Sequence, residues 1–287
     1  MQFSDGFFTT ADDLRLHYRD YPAQGGETGL PVVCLHGLTR NVKDFEELAP
    51  QIAALGRRVL VVSQRGRGQS DYDPQAERYQ PATYAADMIG FLEGLSLEKA
   101  VFVGTSMGGI ITMVVNALRP DLVASAVIND IGAEINEAGL DRIRQNVSSR
   151  DPVKSWDEAA ERAKASNLEA FPLREGDAEF WDNFGRKVFV ARDDGLLHLD
   201  YDGAITSKID STDAPKLWDF WMPAFEGKPV LLIRGGITDL LTPETVAEMK
   251  ARKPDMDFAE VPNVGHAPFM TEPEAWTAIK AFMERVG

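Results

Sequence analysis

The sequence predicts an α/β fold with a mostly parallel central sheet flanked by helices, and three observations lead there. Runs of consecutive apolar residues recur at Val32–Leu35, Val59–Val62, 101–103 and 124–128. Runs without alternation suit strands buried on both faces, as in a parallel sheet. Helical patterns separate these runs. Tyr84, Met88, Leu92 and Leu95 share one face at spacings of four, four and three, and residues 110–118 are apolar nearly all round before Pro120. After a more polar middle, the strand pattern returns at 230–233 and 258–261. Such alternation of strand and helix argues for right-handed crossovers within one sheet.

Taken in order, Leu14, Leu16 and Tyr18 alternate like a half-exposed strand, and the turn-rich stretch 22–29 leads into the first buried run. Residues 1–130 read as the first part of the core. Residues 131–214 differ, with polar amphipathic helices expected over 138–147, 156–168 and 178–190 and no strand run between the first two. This reads as a helical insertion between two core strands and not as an independent domain. Residues 215–287 read as the second part of the core. Its last helix is announced by Thr271 with Glu274 three residues on and Pro273 in the first turn, and its apolar face is Trp276, Ile279 and Met283.

The 287 residues are 44% apolar and 26% charged, enough to bury a large core. Thirty basic against forty-five acidic side chains leave a formal charge of −15, which repels nucleic-acid phosphates and anionic lipid, so neither is expected as a partner. Cys34 is the single cysteine, so no internal disulfide can form, and its apolar neighbours make it a buried small side chain. Met1 to Asp5 shows no basic start before a long apolar segment, and no run has the length of a membrane span. The expectation is a cytoplasmic enzyme; the oligomeric state is not legible.

The chemistry concentrates in four loops. Gly104-Thr105-Ser106-Met107-Gly108 is a G-x-S-x-G pentapeptide that closes a buried strand and opens a buried helix. That setting is the nucleophile elbow, a tight turn that needs small residues two before and two after the serine. A serine hydroxyl needs a base. Of the four histidines, His17 and His198 read as structural, while His266 sits between the last strand run and the last helix, where catalytic groups of an open sheet collect. The base needs a carboxylate behind it. Chain order and a place in the loop after run 230–233 select Asp239; Asp130, which ends the strand read over Ala124 to Asn129, is the alternative acid. His36-Gly37-Leu38-Thr39 follows the first buried run, so the backbone N–H groups of Leu38 and Met107 are expected to form the oxyanion hole, with His36 shaping the loop.

These motifs, together with Arg65-Gly66-Arg67-Gly68-Gln69-Ser70 and Gly265-His266-Ala267-Pro268-Phe269, resemble the α/β-hydrolase superfamily. The likeness spans the two core segments. Within the superfamily the chain resembles small bacterial carboxylesterases, 3-oxoadipate enol-lactonases, cofactor-free haloperoxidase-like esterases and pimeloyl-carrier methyl-ester esterases. The resemblance implies an α/β-hydrolase fold with a helical cap inserted after strand six, over the active site. Ser106 stands where epoxide hydrolases and haloalkane dehalogenases carry aspartate. Thr105 and Ala267 depart from the pattern of carbon–carbon bond hydrolases.

The function expected is therefore hydrolysis of a carboxylic ester or lactone of a small to medium, apolar substrate through an acyl-enzyme. Neither a cofactor nor a metal is expected. Trp156, Phe180, Trp181, Phe184, Trp218 and Trp221 are candidates for an apolar pocket, or for packing cap on core. Carbon–carbon bond hydrolysis or acyl transfer could use the same triad, and a ligand-binding receptor on the same fold is the non-enzymatic alternative.

Overall fold

A computed structural model of the protein describes residues 3–148, 150–206 and 216–287. The chain begins with β1 (Ser4–Thr9) and β2 (Arg15–Tyr21), and continues through β3 (Val32–Leu35), α1 (Leu48–Ala53), β4 (Val59–Val62), α2 (Pro81–Gly94), β5 (Ala100–Thr105), α3 (Met107–Leu118) and β6 (Val123–Asn129). After an insert it resumes with α7 (Trp218–Phe225), β9 (Val230–Gly235), α8 (Pro243–Arg252), β10 (Asp257–Val261) and α9 (Pro273–Arg285). The insert holds α4 (Glu137–Ser148), α5 (Trp156–Asn167), α6 (Ala178–Val188) and a hairpin of β7 (Phe189–Ala191) and β8 (Leu197–Leu199). The strand order is β1-β2-β4-β3-β5-β6-β9-β10, with the β1–β2 and β2–β4 pairs antiparallel and every pair from β4 to β10 parallel. This is the α/β-hydrolase architecture.

The unbroken apolar runs are explained by what covers the two faces. Val32 and Cys34 pack with α1 and α9, whereas Val33 and Leu35 pack with α2 and α3. A strand between two helical layers has no solvent side, so period-two alternation has nothing polar to display. Cys34 is fully buried, and that burial pushes its thiol well above the ordinary range. It packs rather than reacts.

The topology also places the site. From β3 the chain moves outward to β4, then crosses back to β5 on the other side of β3. The loops leaving β3 and β5 therefore lead to helices on opposite faces, α1 and α3, and open a crevice at their carboxyl ends. The loops after β6, β9 and β10 line up along the same edge.

Two local expectations differ from the structure, and one strand goes unannounced in the sequence. β1 gives no alternating signal because it is an edge strand containing Asp5 and Gly6, paired only with β2. The helix expected over 178–190 stops at Val188, because Phe189 and Val190 pair with Leu199 and His198 in the hairpin. Thr271 is not the N-cap of α9; Glu272 occupies that position, and its Oε1 accepts from the Phe269 N–H at 2.9 Å. The boundary expected at 214–215 lies outside the described residues.

Candidate active site

Ser106 sits between β5 and α3 at φ 52° and ψ −116°, outside the wells that residues other than glycine normally occupy. Such strain persists only where the surroundings enforce it. Here the Ser106 N–H donates to Asn129 O at 2.9 Å, and Ser106 O accepts from Gly109 N at 2.9 Å and Ile110 N at 3.2 Å. Gly104 and Gly108 are required by close approach. A Cβ at Gly104 would collide with the Gly108 carbonyl, and one at Gly108 with the Leu35 carbonyl on β3. The turn can thus tuck against the sheet and hold the serine side chain out toward the crevice.

His266, in the loop after β10, meets Ser106 there. Its Nε2 lies 2.9 Å from Ser106 Oγ and its Nδ1 lies 2.8 Å from Asp130 Oδ2. With the proton on Nδ1, the ring donates to Asp130 and accepts from the serine hydroxyl, the tautomer a general base needs. Asp130 is fully buried. Its Oδ1 accepts from Gly235 N at 2.8 Å, and its own N–H donates to Ile233 O, so β9 clamps it from both ends.

Asp239, preferred over Asp130 as the acid in the sequence reading, does not contact His266. It receives Arg142 of α4 in a bidentate contact, Nε to Oδ2 at 2.6 Å and Nη2 to Oδ1 at 2.8 Å. Burial opposes ionisation of Asp239, but the Arg142 hydrogen bonds and charge outweigh it and hold the carboxyl below its usual range. The reason is one of position. Asp130 follows directly on β6, the neighbour of β5, whereas Asp239 lies four residues past the end of β9, where Asn136 N donates to Leu240 O and the insert begins to pack.

Sequence reasoning missed Asn129. Its Nδ2 donates to Thr105 Oγ1 at 3.1 Å and to Pro268 O at 2.8 Å, tying the histidine loop to the end of β5. A polar residue ending an apolar run was the available signal. From the insert, Ala170 O accepts from Gly265 N at 2.7 Å and braces the same loop from outside.

The loop after β3 is built around two buried cationic or titratable side chains. His36 Nδ1 contacts Gly37 O at 2.7 Å, and Nε2 accepts from Gln64 N at 3.0 Å. Burial drives its pKa down to about 4, so the ring is neutral and fully engaged. Arg67, also fully buried, donates through Nε to Leu38 O at 2.9 Å. Fixing that carbonyl orients the peptide plane of the turn. Among the described residues, neither the Leu38 nor the Met107 N–H has an intramolecular acceptor. His17 is buried against Asp5 and His198 pairs with Asp194 in the hairpin, both away from the crevice.

A cavity of about 200 Å³ opens on Ser106 and His266, with Gly37 and Leu38 on its floor and insert residues over it. Its apolar wall is aromatic: Phe171, Phe184, Phe189 and Phe269. Phe171 and Phe269 stack with centroids 5.3 Å apart. Of the six aromatic candidates read from sequence, only Phe184 lines it. Trp221 is buried under α3, Trp156 packs with the hairpin, and Trp181 is held by Nε1 to Arg174 O. Among the described residues no cluster of three or more His, Cys, Asp or Glu could hold a metal ion, and no helix is long and apolar enough to cross a membrane.

The fold and this loop arrangement define a hydrolase of the α/β-hydrolase family, and comparison with known proteins agrees. The family model for the α/β hydrolase fold matches residues 31–273, so the chain belongs to that family. A 3-hydroxybutyrate-oligomer hydrolase from Cupriavidus necator is 33% identical over 279 residues, 93% of each chain. A 2-(acetamidomethylene)succinate hydrolase from Mesorhizobium japonicum is 28% identical over 249 residues, covering 86% of this chain and 85% of that one. Among solved structures, an α/β hydrolase from Novosphingobium aromaticivorans aligns over 99% of both chains with TM-score 0.90 and 36% identity.

Proposed function

We propose that the protein hydrolyses a carboxylic ester of a small molecule through an acyl-enzyme on Ser106, with His266 as base and Asp130 as its orienting acid. The observation that carries the reading is the continuous chain Ser106 Oγ–His266 Nε2 and His266 Nδ1–Asp130 Oδ2, at 2.9 and 2.8 Å, opening into the cavity. His266 takes the serine proton as Oγ attacks the ester carbonyl. The Leu38 and Met107 N–H groups, at the start of α3, receive the oxyanion. The imidazolium, held by Asp130, then protonates the leaving alcohol. Water repeats the sequence on the acyl-enzyme. The insert acts as a cap: its aromatic wall takes the apolar body of the substrate and limits water at the acyl group. The Cupriavidus necator relative is named for oligomers of a hydroxy acid, which are joined by ester bonds, and this favours an ester over a carbon–carbon bond.

A fluorophosphonate probe tests the mechanism. It should label the native chain stoichiometrically at Ser106 and leave Ser106→Ala unlabelled. A panel of aryl esters of increasing acyl length should show Ser106-dependent turnover; a chain that labels nowhere and cleaves none of them is not this enzyme.

A further inference from the structure

The cavity has a second wall, and it is polar. α4 places Arg142 and Asn146 on it, one turn apart, and α5 places Arg162 and Ser166 there with the same spacing. A substrate that is apolar throughout has no use for such a wall, and partly buried guanidinium groups are costly unless something pairs with them. The distribution of charge is the sharper observation. The chain carries −15 overall, yet three arginines, Arg40, Arg142 and Arg162, line this one cavity against a single lining carboxylate, Asp44.

The arginines are not equivalent. Arg40 is committed to Asp44 through Nε and Nη2, at 2.7 to 2.9 Å, and its guanidinium lies 4.3 Å from the Phe184 ring centroid. Arg162 donates to Asp151 O at 3.1 Å. Arg142 is held from behind by Asp239, which engages Nε and one N–H of Nη2. That contact uses one bidentate edge of the guanidinium. The other, formed by Nη1 and the second N–H of Nη2, takes no acceptor among the described residues, and the side chain remains 21% exposed at the cavity. A planar fork with one edge fixed by a carboxylate and the other facing a cavity is preorganised for a second carboxylate.

We propose that Arg142 is a carboxylate-binding residue of this cavity, set in place by Asp239, so that the substrates are esters bearing a free carboxylate remote from the scissile bond. The substrate class rests on the reading of Ser106 as an ester-cleaving nucleophile; the anion site does not. Asp239, the residue that stands in the loop where sequence order seeks the triad acid, thereby acts on specificity by positioning Arg142.

The test compares an aryl pentanoate with the matching aryl hemiglutarate, in which a carboxylate replaces the terminal methyl. The native chain should favour the hemiglutarate in kcat/KM. The hemiglutarate-to-pentanoate ratio should fall at least tenfold in Arg142→Gln, mainly through KM, and recover in part in Arg142→Lys. If Arg142 only fastens the insert to the core, both esters lose by the same factor; that result overturns the proposal, as does a native preference for the pentanoate. A readout without turnover keeps the two readings separate. Glutarate should bind the Ser106→Ala variant saturably by calorimetry and at least tenfold more weakly when Arg142→Gln is added; equal binding overturns the anion site. Glutarate binding that depends on Arg142, with neither ester turned over, supports the anion site and sinks the esterase reading instead.

Discussion

Asp130 and Asp239 stand at the ends of neighbouring strands, both on the carboxyl edge and both within reach of the same loop cluster. A sequence offers order and spacing; both aspartates fall between Ser106 and His266, and it is the place in the loop after run 230–233 that favours Asp239. What separates the two is a pair of contacts that only the folded chain displays: Gly235 N and His266 Nδ1 on Asp130, and the Arg142 fork on Asp239. Their removal should therefore have different consequences. Asp130→Asn keeps the volume but offers His266 an amide, which favours the wrong imidazole tautomer. By analogy with the loss of the orienting carboxylate in serine proteases, kcat should drop about 10³ to 10⁴-fold. Asp239→Asn should act on KM for acidic esters and leave kcat within about tenfold, since the proposed triad does not touch it. Steady-state kinetics on one aryl ester pair decides the matter, and a larger kcat loss for Asp239→Asn than for Asp130→Asn would reverse the assignment.

At the scale of elements, legibility followed burial. The parallel strands β3, β4, β5, β6 and β9 are buried on both faces and were readable as apolar runs within a residue or two. β1 at the sheet edge and the three-residue strands β7 and β8 were not, because each owes its existence to a partner strand rather than to its own pattern. α8 carries a local signal of its own, Thr242 capping Thr245 N ahead of Pro243. In the site, the elbow and the His36 loop were legible because their glycines answer local steric demands. The aromatic wall was not, since Phe171, Phe189 and Phe269 come from three unrelated loops and strands. The elbow's steric demand can be measured. Gly108→Ala forces a methyl into the Leu35 carbonyl, backbone against backbone, and should cost about 3 kcal/mol, at the upper end for an overpacked site. Gly90, mid-way along α2 and exposed, meets nothing within 4 Å, so Gly90→Ala should stabilise by about 0.5 to 1 kcal/mol. Urea unfolding of both variants checks the pair; equal effects would mean that the close packing of α3 on β3 does not constrain the turn.

Across the whole molecule, one buried cation links the sheet edge, a helix and the crevice at Ser106. Arg65, 1% exposed, donates to Asp73 Oδ2 at 2.5 Å, to Asp87 of α2 at 2.6 and 2.8 Å, and to Asp12 in the turn between β1 and β2 at 2.8 and 3.1 Å. Its carbonyl accepts from Arg67 Nη1, and Arg67 in turn holds Leu38 O, so the cluster ends at the loop proposed to form the oxyanion hole. Replacing a buried ion cluster wholesale can be neutral, but removing the cation that Asp73 and Asp87 share leaves both buried without compensation, a loss of about 3 to 5 kcal/mol. Arg65→Met should show that loss at pH 8. The pH dependence has a definite sign. Burial already pushes Asp87 up to about 6 with Arg65 beside it, so without Arg65 its folded-state pKa rises further above the unfolded value. A carboxylate whose folded pKa is raised penalises the native state as pH climbs through that pKa, and the penalty is relieved as pH falls. The deficit of Arg65→Met relative to the native chain should therefore shrink between pH 8 and pH 5. Adding Asp87→Asn should recover part of it at pH 8 and flatten the dependence, because the two changes share one network and cannot add. Denaturant titrations at the two pH values measure all three quantities, and a deficit that stays constant with pH would place the cost of Arg65→Met in lost packing and not in stranded charge.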